Sequence, residues 1–228
     1  MTKLIKTIKA LIPTYVVIPL IVVFSYQSTV YFCTKLINAN LTHYDLTTKL
    51  DTMIPVLPSF SIIYLGCYAF WVLNYMLAGK VSKEHFYRFV TNILLSYTLC
   101  GIIFIIFPTM IIRPDAPAVT SLGTLGMNFV FNSDTPVNLF PSMHCLISWF
   151  CYLGVRNKKQ IPKWYQYVSL IIAVLVCIST VTIKQHFIAD IFGGIIIAEV
   201  MYYICMHSNL YKPVYRVFES INDKLHLN

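Results

Sequence analysis

The chain has 228 residues, of which 57% are hydrophobic, 15% aromatic and only 11% charged, with a formal net charge of +8. This composition excludes an ordinary soluble domain and indicates an integral membrane protein. The positive charge does not indicate a nucleic-acid partner, because the basic residues fall in short segments between apolar stretches.

In chain order, Lys3, Lys6 and Lys9 precede an uncharged stretch at 11–32. It is too long for a signal peptide and no small-residue cleavage site follows, so it reads as the first membrane helix. Residues 33–51, with Asn38, Asn40, Asp45 and Asp51, read as a polar outer loop. The uncharged stretches at 52–79 and 89–112 are each long enough to cross roughly 30 Å of hydrocarbon. Residues 113–138 form a second outer loop, with Gly123, Gly126, Asn132, Asp134 and Pro136 marking turns. Loops of about 25 residues tend to be functional, and this one is expected to cover a site.

An apolar stretch at 139–155 is followed by the basic inner loop Arg156-Asn157-Lys158-Lys159-Gln160, which suits anionic lipid. Further spans are expected at 164–183 and 188–206, and the tail after Met206 is mixed polar and aromatic. With no linker, low-complexity tract or repeat, the expectation is an all-α, six-transmembrane-helix bundle forming one domain over residues 1–228. The seven cysteines show no C-x-x-C pair and read as small packing residues without a disulfide.

Charge sets the expected topology. The N-terminus, 80–88, 156–163 and the tail hold Lys3, Lys6, Lys9, Lys80, Lys83, Arg88, Arg156, Lys158, Lys159, Lys163, Lys212, Arg216 and Lys224, or thirteen of the seventeen Lys and Arg residues. The other segments hold Lys35, Lys49, Arg113 and Lys184. The positive-inside rule then places both termini in the cytoplasm and the polar residues discussed next on the extracytoplasmic side of a cell membrane.

Those residues are Arg113-Pro114, Pro141-Ser142-Met143-His144, and His186 with Asp190 four residues later. Ionisable residues beside membrane spans are costly, so their grouping marks a site. Asp190 can hydrogen-bond one nitrogen of His186, fix its tautomer and leave the other nitrogen as a nucleophile. Ser142 reads as an N-cap, and a helix N-terminus beside His144 suits an anion such as phosphate. Arg113 and Lys184 would add positive charge, and Asn138 and Pro114 are candidate substrate contacts. Glu199, near the middle of the last span, must be protonated, paired or directed into the bundle.

These motifs resemble the type 2 phosphatidic acid phosphatase superfamily, with signatures Lys…Arg-Pro, Pro-Ser-Gly-His and Ser-Arg-x5-His-x3-Asp. Here they stand as Arg113-Pro114, Pro141-Ser142-Met143-His144 and Ser179-Thr180-x5-His186-x3-Asp190. The resemblance implies that His186 attacks phosphorus to form a phosphohistidine, supported by Asp190, while His144 protonates the leaving oxygen and later activates water. It implies phosphate ligands in Arg113, Ser142 and the Met143 amide, no metal or other cofactor, and a lipid phosphate as substrate. The departures are Ile106 for the first-signature lysine, Thr180 for the third-signature arginine, and Met143 for a glycine.

The string Ser-Thr-Val-Thr-Ile-Lys-Gln-His, with Lys184 near the histidine, is similar to the branch containing inositol-phosphorylceramide and sphingomyelin synthases. The leading expectation is hydrolysis of a phosphatidate-like phosphomonoester or a polyprenyl pyrophosphate. Transfer of a phospho-head group to a lipid alcohol is the alternative within the superfamily. A lipid-binding or transport protein without turnover is the alternative of another class.

Overall fold

The computed structural model describes residues 13–227, and every regular element among them is a helix. After a 3-10 turn at Thr14–Val16, the α-helices are α1 (Val17–Asn38), α2 (Lys49–Met53), α3 (Ser61–Val81), α4 (Lys83–Ile106), α5 (Leu122–Ser133), α6 (Met143–Val155), α7 (Lys163–Thr182), α8 (Ile188–His207) and α9 (Tyr211–Lys224). Lys3, Lys6 and Lys9, which support the expected topology, lie outside the described residues.

Among the described residues, five helical segments are long and apolar enough to cross a membrane: Thr14–Asn38, Pro58–Val81, Lys83–Ile106, Lys163–Thr182 and Ile188–His207. The sixth expected span contains only the 13-residue α6. At 1.5 Å per residue α6 extends about 20 Å, less than the hydrocarbon thickness. It is also the most enclosed helix, packed against α3, α7 and α8. Leu146, Ile147, Phe150 and Cys151 are fully buried, so protein and not lipid surrounds it.

The bundle's interior is aromatic, with Trp71, Tyr75, Tyr87, Phe89, Tyr97 and Phe104 almost wholly buried, whereas Ile21, Ile62, Ile102, Ile171 and Ile196 are exposed. An outward apolar surface of this extent marks contact with a membrane.

Polar groups close the helix ends. Arg88 Nη1 donates to the carbonyls of Cys205 (2.9 Å), Met206 (3.1 Å) and Ser208 (2.5 Å), satisfying the last acceptors of α8. Its guanidinium also lies 4.1 Å from the Tyr211 ring centre. Glu219 draws α9 onto α4 through Lys83 (2.7 Å) and Tyr87 Oη (2.7 Å). Glu199 accepts from Trp149 Nε1 at 2.9 Å and Arg156 Nη1 at 3.2 Å, so the carboxylate in the last span is paired.

The loop expectations need two corrections. Residues 113–138 are not all loop, because Gly123, Gly126 and Asn132 lie within α5. Ser121 and Thr124 form a capping box that starts this helix, which buries Met127 and Val130. An added Cβ at Gly123 would come within 2.8 Å of the Ser59 backbone, so this glycine serves close packing and not a turn. Asn38, expected in a polar outer loop, is fully buried at the end of α1 and donates to Phe104 O at 2.7 Å.

Three non-helical segments meet above the bundle. Tyr44 N donates to Pro108 O (2.8 Å), Met110 N to Tyr44 O (3.0 Å), Ile111 N to Pro136 O (3.1 Å), and Asn138 N to Thr109 O (3.1 Å). This main-chain seam fixes the connections leading into Arg113 and into Ser142.

Candidate active site

The chain between α7 and α8 turns back through residues 183–187. The Thr180 carbonyl accepts from both Gln185 N (2.9 Å) and His186 N (3.1 Å), and Lys184 at φ 56° makes the reversal. The helix begins at Ile188, so His186 precedes α8 and Asp190 stands in its first turn. Asp190 Oδ2 accepts from Phe187 N at 3.0 Å and faces His186 Nδ1 at 3.0 Å. One buried carboxylate therefore caps the helix and orients the imidazole. A carboxylate only accepts, so Nδ1 carries the proton and Nε2 is the basic nitrogen.

Burial acts to lower the pKa of His186, but the hydrogen bond and charge of Asp190 outweigh it and raise the value above the usual 6.5. Asp190 is fully buried, and its second oxygen has no hydrogen-bond partner among the described residues.

Ser142 caps α6, its hydroxyl accepting from Cys145 N at 3.3 Å, and its own N–H donates to Asp190 O at 3.1 Å. That link joins the second and third motifs directly. Gly194 permits it, because a Cβ there would lie 2.7 Å from Ser142 O. His144 follows in the first turn of α6, stacked on Tyr64 with ring centres 4.3 Å apart and Nδ1 3.3 Å from the Tyr64 hydroxyl. The rings of His144 and His186 stand 6.1 Å apart.

Both histidines line a cavity of about 290 Å³ that also touches Tyr31, Tyr64, Met143, Asn138 and Gln185. Asn138, at φ 57°, lines it too, but its amide is held by Asn38 (2.9 Å) and Thr34 (3.0 Å). A second cavity, about 410 Å³, is lined by Asp51, Arg113, Pro114, Lys184 and again His186.

Arg113 connects the two. Its Nη1 donates to Asp134 O at 2.7 Å, its Nη2 donates to Gln185 Oε1, and its guanidinium lies 5.0 Å from the Phe131 ring centre. Burial lowers its pKa while the Asp134 charge opposes the shift. Lys184 is placed differently from Arg113. Its ammonium donates to Asp51 O (2.8 Å) and Ile54 O (2.7 Å), across more than 100 residues of sequence.

Asp51 in turn accepts from Ile188 N at 2.7 Å. Burial acts to raise the Asp51 pKa, but hydrogen bonds from Thr48 and Ile188 together with Lys184 lower it. At the departures from the signatures, the Thr180 hydroxyl donates to Cys177 O at 2.7 Å and Ile106 is exposed at the end of α4.

His144, His186, Met143 and Asn138 thus line the first cavity, Asp190 and Ser142 are fully buried beside them, and Arg113, Pro114 and Lys184 border the second with His186. Sequence reading missed Gln185, Tyr64 and the hydroxyl of Tyr31, which donates to Asp134 Oδ1. Gln185 had a usable signal in its place beside His186. Tyr64 had none.

Together these features define an all-helical membrane protein with a polar site at the ends of its α6 and α8 helices. Residues 56–204 match the PAP2 superfamily, and the chain belongs to that superfamily. The matched region contains all three motifs and leaves out α1, α2 and α9. The chain is also similar to an uncharacterized protein of Methanocaldococcus jannaschii, 22% identical over 149 residues, covering 64% of this chain and 60% of that protein. No solved structure matches the chain.

Proposed function

We propose that the protein hydrolyses a lipid phosphomonoester or pyrophosphate through a phosphohistidine, working as one domain over residues 1–228. The observation that carries this reading is the His186–Asp190 pair, with Nδ1 and Oδ2 3.0 Å apart, facing His144 across the cavity.

His186 Nε2 attacks phosphorus and forms a P–N bond as the P–O bond to the lipid breaks. His144 donates a proton to the departing oxygen. A water then attacks phosphorus, His144 takes its proton, the P–N bond breaks and inorganic phosphate leaves. Asp190 stabilises the positive charge that develops on His186. Arg113, set behind Gln185, supplies the charge of the phosphate-binding side, Ser142 and the Met143 amide complete it, and Pro114 is a substrate contact. Lys184 acts from the second cavity, with Asn138 bordering the substrate.

In this reading α6 and its flanking residues make a sixth crossing, both termini are cytoplasmic, and the site opens to the extracytoplasmic side. The distribution of Lys and Arg supports that orientation.

The test is phosphate release by the detergent-purified protein from phosphatidate, lysophosphatidate, phosphatidylglycerol phosphate and undecaprenyl pyrophosphate, with His186→Ala alongside. Release by the wild type that the substitution abolishes is the expected result. Wild-type release that survives it would overturn the mechanism.

A second reading is transfer to a lipid alcohol, and the second cavity favours it. His186 borders that space too, beside Thr47, Thr52 and Asp51, so an acceptor hydroxyl has room there. A labelled product that forms only when diacylglycerol or ceramide is added would select transfer over hydrolysis.

A further inference from the structure

Resting on the phosphohistidine reading, we propose that Gln185 is a phosphoryl ligand whose side-chain N–H group donates to an oxygen of the phosphoryl group held between His144 and His186. Its orientation follows from its neighbour. Arg113 can only donate, so the amide atom that meets it must be the oxygen. The amide nitrogen, with its two donors, is then turned away from Arg113.

Three further observations converge on this group. Gln185 is 1% exposed, lines the cavity containing both histidines, and its Nε2 has no hydrogen-bond partner among the described residues. Buried donors are almost always paired, so an unpartnered one on a residue lining a cavity is a site for an acceptor. Its backbone is held as firmly as that of the nucleophile, because Gln185 N and His186 N share the Thr180 carbonyl.

The residue also answers a gap in the motif. The side chain of Thr180 is buried and donates to Cys177 O, so it offers nothing to the cavity. Gln185 supplies a donor from the same turn without supplying charge. The positive charge stands behind it on Arg113, which polarises the amide and presents it rigidly.

Two substitutions separate a ligand from a mere support for Arg113. Gln185→Glu keeps an oxygen for Arg113 to hold but removes the donor and turns an anionic oxygen toward phosphorus. Gln185→Met removes both the donor and the acceptor at similar volume. The measurements are transfer of label from radiolabelled phosphatidate or polyprenyl pyrophosphate to His186, inhibition by vanadate, and the thermal midpoint in detergent.

With a melting point near wild type, Gln185→Glu is expected to slow labelling about 100-fold, the usual consequence of losing one transition-state donor. Vanadate affinity should fall about 30-fold or more, since vanadate imitates the transferring group. Relative to wild type at each pH, the deficit should shrink in acid, where the introduced carboxyl is protonated and can donate again. Gln185→Met should show a comparable deficit without that recovery, and it serves as the probe if Gln185→Glu does not fold. Labelling by either folded variant within threefold of wild type would overturn the role of Gln185 and leave the phosphohistidine reading intact. Turnover by the wild type without any label on His186 would overturn both.

Discussion

His144 in α6 and His186 just before α8 line one cavity with ring centres 6.1 Å apart, and their segments are joined by a hydrogen bond from Ser142 N to Asp190 O. One reacting group can reach both rings. The two steps then have different demands on His144. His144→Asn should nearly abolish attack on a lipid phosphate, whose alkoxide leaves poorly without a proton. With p-nitrophenyl phosphate, whose leaving group needs no acid, the variant should still be phosphorylated and should then accumulate the intermediate. A burst of nitrophenol followed by turnover on the order of 100-fold slower is the expected trace. Equal loss of burst and turnover would assign His144 no separate part in hydrolysis.

The raised pKa of His186 sets the acid limb of the pH profile. A nucleophile must be unprotonated, so kcat/KM should decline one proton at a time as pH falls through a value above 6.5. The same shift has the opposite consequence for stability. Its stabilising contribution is full below 6.5 and disappears as pH rises through the folded-state value. Asp190→Asn removes the charge that raises the pKa. It should move the acid limb to lower pH and reduce kcat by about 100-fold or more, both read from one set of profiles.

Lys184 tests whether a cation beside the nucleophile binds phosphate or fastens the scaffold. Its ammonium meets the carbonyls of Asp51 and Ile54, so Lys184→Met should lower the thermal midpoint by several degrees. Vanadate inhibition should change less than threefold. A much larger loss of vanadate affinity with an unchanged midpoint would make Lys184 a phosphate ligand instead.

Gly194 holds α8 against the start of α6. Gly194→Val would force its Cβ against Ser142 O, only 2.7 Å away, and should cost about 1–3 kcal/mol of stability. Activity should fall as well, because the contact that separates joins the Ser142 and Asp190 segments. A stable and fully active variant would contradict the close approach.

Glu199 is held by Trp149 and Arg156. Glu199→Gln retains an acceptor for the indole and should keep kcat within about twofold. Glu199→Ala should lower the melting point with the same kcat, and loss of turnover in the Gln variant alone would point to a proton-handling role.

The catalytic spacing was legible because it is local. His186 and Asp190 are four residues apart at the start of α8, and Ser142 precedes His144 by two at the start of α6, so short chain separation at a helix start relates them. Glu199 was legible only as a demand for a partner, and its partners Trp149 and Arg156 come from another helix. The helix at Leu122–Ser133 was hidden because Gly123 and Gly126 look like turn residues when their packing against Ser59 and Ser61 cannot be seen. The contacts of Lys184 were hidden for a related reason, since its carbonyl acceptors lie 133 and 130 residues away. Gln185 was signalled only by its place beside His186, and Tyr64 depends wholly on the fold bringing it against His144.

The seam that joins Tyr44, Met110, Ile111 and Asn138 is made from peptide groups. Peptide groups are the same whatever residue carries them, apart from proline at the donors. The canopy over the site can therefore exchange most of its side chains through evolutionary drift while its height and outline persist. New substrate preferences could be acquired there without rebuilding the machinery beneath.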